Sequence, residues 1–249
     1  MKIAVISDIH GNMEAIEAVM NDIQIQGCEK VFVLGDYAMA GPEPCAAIDW
    51  FMKQEGNPNY HMIQGNTDLM LADYSNEIYQ TLQEKAPIMA EALKDDFFQT
   101  NPVQRTFLKN LPEQKLVKID GVNILLVHGS PRQNNEDILP TTSMGQVENM
   151  LADIDPDINV VLCGHTHIPC GFQTSTKQTV INVGSIGRPF TPEPKSCYLK
   201  LTINNGKCVF EHRFIKYNNE RAAMKLRGRE FAGVNKLANT LLEPNLRHF

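Results

Sequence analysis

The sequence predicts an α/β fold, in which short buried strands alternate with helices. Three observations favour it: β-branched apolar runs bounded by Gly or Asp, helically spaced apolar positions between them, and a polar side chain soon after each run. The runs are 3–6, 31–34, 62–63, 124–127 and 160–163. The residues after them are Asp8, His10, Asp36, Asn66, His128, His165 and His167. Ligands bind beyond the carboxyl ends of strands in such sheets, so we expect these side chains to form one metal site.

The composition is that of an ordinary globular protein. The 249 residues are 43% hydrophobic and 21% charged, which fits one domain over 1–249. The net charge of -6 argues against the basic surface that duplex nucleic acid requires. Six cysteines without a Cys-x-x-Cys pair favour a reduced, cytoplasmic setting. No apolar run suits a signal peptide or a membrane span, so we expect no membrane association.

The first half of the sequence contains two helix signals between its strands. Apolar residues recur at helical spacing at Ala15, Ile16, Val19 and Ile23, before Gly27. A Gly as the residue after a helix is a common stop, so the first helix is expected to end there. A second helix is expected at about 43–54, entered through Gly41-Pro42-Glu43-Pro44 and left through 56–58.

A helical insertion is expected at about 69–111. This segment is rich in Leu, Met, Ala, Glu and Lys, which are good helix formers, and it is predicted to make two or three helices. Pro87 and the Asn101-Pro102 pair interrupt it, and Asn101 has the character of a helix N-cap. The insertion either overhangs the site and selects the substrate or forms an outer packing layer.

The last third changes to strands and then to helices. Strands are predicted at 179–182, 196–203 and 207–215, the last two joined through Asn204-Asn205-Gly206, a hairpin signal. Asn219 can cap a basic helix. A final amphipathic helix has Phe231, Val234, Leu237, Leu241 and Leu242 on one face and ends at Pro244. The helices at about 219–243 are expected to pack on the domain, the alternative being a partner interface.

The case for a metal site depends on the whole set of polar residues. Gly-Asp or Gly-Asn at a strand end is commonplace, because these residues favour turns. A single histidine is more often structural than a ligand. The Gly164-His165-Thr166-His167 segment is stronger evidence, because two histidines flanking one residue at a strand end have no common packing role.

Taken in order, the set resembles the calcineurin-like metallophosphoesterases. Their pattern is present as Asp8-Ile9-His10, Gly35-Asp36, Gly65-Asn66, His128 and Gly164-His165-Thr166-His167. The resemblance implies a four-layer αββα sandwich of two mixed β-sheets flanked by helices, with the later strands and hairpin in the second sheet. The Gly41-Pro42-Glu43-Pro44 and Ser130-Pro131-Arg132 segments look like a bacterial and archaeal subgroup of phosphodiesterases or dinucleoside polyphosphate hydrolases.

The resemblance also implies which residues hold two metal ions. One ion would take Asp8, His10 and His167, and the other Asn66, His128 and His165. Asp36 would bridge them, and a hydroxide between the ions would attack phosphorus, with Asp36, Asn66 and His165 as the catalytic residues. Nitrogen and carboxylate ligands without thiolate indicate manganese, iron or zinc, in divalent or trivalent form, and disfavour magnesium or calcium alone.

Thr67 departs from the family pattern. Many members have a histidine after the Gly-Asn pair, where it can protonate the leaving group. Without a general acid, which contributes about 10²–10⁴-fold, poor alkoxide leaving groups should react slowly. Asp68, His61 or a metal-coordinated water could replace it, although His61 lies within a strand and is better interpreted as structural.

We therefore expect an enzyme that acts on a small phosphorylated substrate, with a phosphodiester or a dinucleoside polyphosphate preferred. Arg132 and Arg188 could clamp a second phosphate, although surface arginine is the alternative, and Asn12 is a weaker substrate contact. The enzymatic alternatives are a phosphomonoesterase or protein phosphatase and a nuclease. The alternative from another class is a non-catalytic scaffold similar to a retromer subunit, which the filled ligand positions disfavour.

Overall fold

A computed structural model of the protein describes residues 1–243, which form ten strands and nine helices. The strands are β1 Lys2–Ile6, β2 Lys30–Val33, β3 Tyr60–Met62, β4 Lys115–Ile119, β5 Val122–Leu126, β6 Val160–Cys163, β7 Cys170–Gln173, β8 Thr179–Asn182, β9 Ser196–Asn204 and β10 Lys207–Ile215. The helices are α1 Met13–Gln26, α2 Pro44–Met52, α3 Asn66–Ala72, α4 Asn76–Lys85, α5 Pro87–Gln99, α6 Pro102–Asn110, α7 Met144–Met150, α8 Asn219–Arg227 and α9 Val234–Asn239. Within 1–243, no helix has the length and apolarity to cross a membrane.

The first sheet has the order β10-β9-β1-β2-β3. Strands β1, β2 and β3 are parallel, β9 is antiparallel to β1, and β10 is antiparallel to β9. The predicted hairpin forms, and Asn205 and Gly206 both have positive φ, as its tight turn requires. Its expected place in the second sheet is wrong, because β9 pairs with β1. Apolar β9 residues at 199, 201 and 203 face the space between the sheets, which explains this position.

The second sheet has the order β4-β5-β6-β8-β7, with β5, β6 and β8 parallel and both edge strands antiparallel. The edge strands and α7 were not predicted from the sequence. Strand β7 has four residues, one of which is Gly171, and β4 has only two buried residues, so their periodic signal is weak.

The two sheets face each other, and helices cover their outer faces, which confirms the predicted four-layer α/β architecture. The inner core includes Ile3, Val5, Phe32, Leu34, Ile124, Leu126, Val160, Leu162, Leu199 and Leu201. Outside the first sheet, α1 and α8 pack together. Outside the second sheet, residues of α7 pack on β5, β6 and β8. The carboxyl ends of the parallel strands of both sheets therefore meet along one edge of the sandwich.

The insertion contains four helices, not the two or three expected. Asn66 itself begins α3, and Ser75 then starts a new helix by accepting a hydrogen bond from the backbone N–H of Ile78. Helix α4 has no buried residue, whereas Leu93 in α5 and Phe107 in α6 enter the core against the first sheet. Most of the insertion is thus a packing layer.

The ends of the last two helices differ slightly from the prediction. Asn218, not Asn219, caps α8, because its side chain accepts the backbone N–H of Arg221. Helix α9 covers only Val234–Asn239, and the predicted end at Pro244 lies outside the described residues. Leu226 of α8 and Leu237 of α9 enter the same core as α1, as expected for helices that pack on the body of the protein.

Candidate metal centre

The seven polar side chains lie at the edge where the two sheets meet. Asp8 and His10 follow β1, Asp36 follows β2 and Asn66 starts the helix after β3, all from the first sheet. His128 follows β5, and His165 and His167 follow β6, in the second sheet. Each sheet therefore contributes its strand ends to one cluster, which is buried apart from part of His165 and Asn66.

The backbone in this cluster is strained. Five of the seven residues have a positive φ, between 46° and 68°, a region that costs most residues with a Cβ atom free energy. They are Asp8, His10, Asp36, His165 and His167. Such conformations persist where the surroundings impose them, and they concentrate at functional sites. Here the loops fold back so that ligand side chains from separate strands converge.

Gly65 allows Asp36 to sit close to the start of α3. A Cβ atom at Gly65 would lie 2.1 Å from Asp36 Oδ1 and 2.4 Å from Asp36 N. Gly65 has φ -96°, which alanine can also adopt, so the constraint is purely steric. The backbone N–H of Thr67 donates to the same Oδ1 at 3.0 Å. The Gly-Asn segment thus fixes the carboxylate of Asp36 from two directions.

Gly65→Ala is expected to displace Asp36 and to weaken metal-dependent activity by about 10–100-fold, the range found when supports of metal ligands are lost. The matched control is Gly145→Ala in α7, where a Cβ atom would meet nothing within 4 Å. The control should keep full activity. Activity assays and metal titrations of both variants test this, and unchanged activity of Gly65→Ala would argue against a fixed position for Asp36.

The first group of possible ligands comprises Asp8, His10 and His167. The Nε2 atoms of His10 and His167 are 3.1 Å apart, and Asp8 Oδ1 lies 3.2 Å from His167 Nε2 and 3.9 Å from His10 Nε2. The Asp8 and His10 side chains are almost fully buried. Three potential donor atoms for a metal therefore face one point.

The second group surrounds Asn66 Oδ1. His128 Nε2 and His165 Nδ1 each lie 3.0 Å from this oxygen. Asp36 connects the two groups, because its Oδ2 lies 3.5 Å from His128 Nε2 and 3.8 Å from His10 Nε2. All seven residues expected from the sequence are thus brought together, with Asp36 in the middle.

Backbone carbonyls orient three of the imidazoles. Nδ1 of His10, His128 and His167 lies 2.6 Å from the carbonyl oxygens of Met39, Leu34 and Arg188, respectively. A carbonyl oxygen only accepts hydrogen bonds, so each Nδ1 carries a proton. When the ring is neutral, Nε2 has no proton and its lone pair points into the cluster. Metal-binding histidines commonly have this outer hydrogen bond.

The charges of the metal-free protein are balanced within the cluster. Burial would raise the pKa of Asp8, but the nearby His167 and His128 lower it to about 2. Burial lowers the pKa of His10 to about 3. Burial also acts to lower the pKa of His128, but the Asp36 and Asp8 carboxylates raise it to about 10. A metal ion that takes His128 as a ligand must therefore displace its proton.

The donor set fits a cation. Asp8 Oδ1 is buried and receives no hydrogen bond from the described residues. The Nε2 atoms of His10 and His167 lie 3.9 and 3.2 Å from this oxygen and face each other at 3.1 Å. Buried acceptors that converge in this way cost free energy unless a cation or a donor joins them.

The three predicted substrate contacts lie in different surroundings. Asn12 is fully buried and caps α1, since its Oδ1 accepts the N–H of Ala15 while its Nδ2 donates to the carbonyl of Gly187. These two hydrogen bonds support the loop, and the substrate contact expected of Asn12 stays a prediction. Arg132 is exposed and forms a bidentate ion pair with Glu136.

Arg188 lies deeper and closer to the candidate metal ligands than Arg132 does. Arg188 is 5% exposed, and its backbone carbonyl accepts the hydrogen bond from His167 Nδ1. Its guanidinium interacts electrostatically with Asp36 and Asp8. Burial lowers its pKa to about 10, so it remains a cation at neutral pH. Its Nη1 lies 3.8 Å from Met89 Sδ, which brings the insertion helix α5 to this side of the site.

The residues named as replacement acids do not face the site as free groups. Both carboxylate oxygens of Asp68 accept backbone N–H groups, from Asp36 and Gly65 on Oδ2 and from Tyr37 on Oδ1. Asp68 therefore ties β2 to the start of α3. His61 lies within β3 and packs edge-on against Phe32, as expected for a structural residue.

Sequence patterns alone did not identify Asp137. Its Oδ1 lies 3.4 Å from His165 Nε2, on the opposite side of the ring from Asn66. It lies in an irregular segment without periodicity, so no pattern in the sequence marks it. Asp137 can hold the proton of His165 on Nε2 and leave Nδ1 for a metal ion.

Comparison with known proteins agrees with the site. A model of the calcineurin-like phosphoesterase superfamily domain matches residues 1–206. The uncharacterized protein MJ0912 of Methanocaldococcus jannaschii is 28% identical over 237 residues, which is 86% of this chain and 84% of that protein.

Two solved structures show the same fold. The hypothetical protein PH1004 from Pyrococcus horikoshii OT3 has a TM-score of 0.83 at 21% identity, covering 97% of this chain and 98% of that one. A metallophosphoesterase from Sphaerobacter thermophilus has a TM-score of 0.73 at 23% identity, with the same coverage. The family match over most of the sequence is decisive: this chain belongs to the calcineurin-like phosphoesterase superfamily.

Proposed function

We propose that this protein uses two metal ions to hydrolyse phosphodiesters or dinucleoside polyphosphates whose leaving groups are already acidic. Membership of the superfamily supports a metal-dependent phosphoesterase. The observation that carries the dinuclear proposal is the position of Asp36 Oδ2, 3.8 Å from His10 Nε2 and 3.5 Å from His128 Nε2. A carboxylate between two donor groups is suited to bridge two cations, which would otherwise repel each other.

The ligands divide between the two ions as follows. Asp8, His10 and His167 hold one ion, and Asn66, His128 and His165 hold the other, with His165 binding through Nδ1. Nitrogen and oxygen donors of this kind suit manganese, iron or zinc. When bound, the ions would activate water for in-line attack and stabilise charge on the phosphoryl oxygens.

The protein side chains orient and neutralise the substrate. Only Asp8 and Asp36 bring negative charge as ligands, since Asn66 supplies a neutral oxygen, so a centre with two dications keeps a net positive charge for phosphate. Arg188 is the preferred phosphate contact because it is a buried cation close enough to Asp36 and Asp8 to interact with them electrostatically. Arg132 can reach a second phosphate only by leaving Glu136.

Thr67 determines which leaving groups react well. It stands where a general acid would be needed, is 7% exposed, and its hydroxyl has no hydrogen-bond partner among the described residues. A threonine hydroxyl does not release a proton near neutral pH, so leaving groups that are stable as anions are favoured unless a metal-coordinated water supplies the proton. Phosphate leaving from an anhydride and aryl oxides meet this condition, whereas alkoxides do not.

A substrate comparison tests the proposal. The protein is purified, loaded with Mn²⁺, Fe²⁺ or Zn²⁺, and assayed on bis-p-nitrophenyl phosphate, p-nitrophenyl phosphate and diadenosine tetraphosphate. The diester or the dinucleotide should have the highest kcat/KM. A much higher kcat/KM for the monoester would contradict the substrate class. No hydrolysis with any metal, together with no thermal stabilisation by metal, would favour a non-catalytic scaffold.

Thr67→His is expected to restore a proton donor and to raise turnover of alkyl phosphodiesters by about 10²-fold, the lower end of general-acid effects. The matched control is Thr67→Gln, which has similar bulk but no proton to release. Rates are compared on an aryl and an alkyl diester. An equal change on both substrates, or an equal gain with Gln, would contradict the role assigned to this position.

A further inference from the structure

Asp96 and Arg229 form a buried ion pair outside the seven ligands. Asp96 lies in the insertion helix α5 and is fully buried, and Arg229 follows α8 and is 8% exposed. Arg229 Nη2 donates to Asp96 Oδ1 at 2.7 Å, and the same guanidinium also binds Asp95. Burying two charges costs much of what their attraction gains, so such a pair is weak evidence of a role in stability.

Both members of the pair bind the same loop. Asp96 Oδ2 accepts the backbone N–H of Ala40 at 2.8 Å, and Arg229 Nη1 donates to the carbonyl of Gly41 at 2.5 Å. Ala40 has φ 63°, which costs a residue with a Cβ atom free energy. The ion pair therefore holds this loop in a conformation that its own residues do not favour.

The same peptide group that binds Asp96 also orients a ligand. The N–H of Ala40 and the carbonyl of Met39 are the two ends of one peptide, and the Met39 oxygen accepts the Nδ1 proton of His10 at 2.6 Å. Because the peptide is planar, its N–H and C=O point in opposite directions and turn together. Asp96 thus sets the direction of the carbonyl that orients His10.

We infer that Asp96 and Arg229 are positioning residues that hold His10 for metal binding through the Met39–Ala40 peptide. The inference rests on the proposed function, because that proposal makes His10 a ligand. Metal-binding histidines often donate their outer N–H to a carboxylate. Here a peptide lies between the histidine and the carboxylate, and one charge-assisted hydrogen bond at the N–H end of the peptide polarises its carbonyl. The insertion and the region after α8 thereby act on the metal centre.

The test is a titration of metal-free protein with Mn²⁺, with free Mn²⁺ measured by electron paramagnetic resonance. The wild type should bind in two steps, and His10→Ala identifies the step that uses His10. Asp96→Asn should weaken that step by about tenfold, at the low end for supports of metal ligands, and leave the other step unchanged. An amide has one acceptor and one donor end, so it cannot satisfy both Ala40 and Arg229.

Arg229→Lys is a second variant in case Asp96→Asn folds poorly. Lysine keeps the charge beside Asp96 but has no planar guanidinium that could reach Gly41 as well. The Mn²⁺ step that uses His10 should therefore weaken, but by less than in Asp96→Asn. The matched control is Asp22→Asn. Asp22 accepts two hydrogen bonds from Arg213, at 2.7 and 3.0 Å, in a pair that joins α1 to β10. Within residues 1–243, neither side chain hydrogen-bonds to the Met39–Gly41 loop. The Asp22→Asn substitution should lower thermal stability and leave both Mn²⁺-binding steps unchanged.

The outcomes separate the two proposals. Unchanged Mn²⁺ steps in both Asp96→Asn and Arg229→Lys, or equal weakening of both steps as from general destabilisation, would overturn the positioning role alone. Normal Mn²⁺ binding by the wild type without hydrolysis would overturn the proposed function alone. A wild type that binds no Mn²⁺, iron or zinc would overturn both.

Discussion

Asp36→Asn is expected to lower kcat/KM by about 10³-fold. Asp36 is the one proposed ligand of both ions. A metal centre stabilises the transition state by several kcal/mol, and about 1.4 kcal/mol corresponds to a tenfold change in rate. Asparagine has nearly the same shape and tolerates the positive φ of 58°. The loss should therefore come from the missing charge and not from a changed backbone.

The matched control for this substitution is Asp120→Asn. Asp120 also has a positive φ, 49°, but lies exposed in the turn between β4 and β5. The control should keep wild-type kcat/KM and thermal stability. Both variants are measured with saturating metal on the best substrate of the panel. Near wild-type turnover of Asp36→Asn would reject the bridging role.

Removal of the metal ions is expected to lower the melting temperature by at least about 10 °C. Each ion present at about a hundred times its dissociation constant adds about 2.7 kcal/mol, and about 1 kcal/mol moves Tm by about 2–4 °C at this size. The physical source is the cluster of Asp8, His10 and His167, whose buried oxygen and nitrogen atoms face one another and would bind a cation.

Calorimetry of chelated and Mn²⁺-loaded protein measures this shift. Mg²⁺ at the same concentration should give a much smaller one, because imidazole nitrogens suit it poorly. His10→Ala should reduce the Mn²⁺ shift while keeping part of it, since the second group of ligands remains. Equal Tm values with and without any of manganese, iron and zinc would contradict a metal centre in this cluster.

Much of the fold could be predicted because its strands and caps carry local signals. The runs at 160–163 and 179–182 appear as strands at those positions, and Asn101 caps α6 as expected. The place of the β9–β10 hairpin could not be predicted locally. Its pairing with β1 buries the apolar face of β9 in the core between the sheets. The paired residues of β1 and β9 are nearly 200 positions apart in the sequence, so no local pattern indicates this pairing.

The convergence of the seven candidate ligands was the most predictable part of the site, since each lies within four residues of the end of a strand. Its supports were not predictable. Asp96 lies on a helix whose sequence is typical of a packing element, and Arg229 lies in a region with no motif. Only the folded chain brings Asp96 to Ala40 and Arg229 to Gly41. Asn12 has a structural role that its position in the sequence did not indicate. It follows the first motif as a substrate contact would, yet both ends of its amide are used to hold α1 and the Gly187 loop.

The most direct test of the central claim is anomalous diffraction from crystals of the Mn²⁺-loaded protein. We expect two manganese peaks about 4 Å apart, the usual separation in two-metal sites. One should lie among Asp8, His10 and His167, and the other among Asn66, His128 and His165, with Asp36 between them. A single peak, or two peaks that do not share Asp36, would contradict the dinuclear centre proposed for this protein.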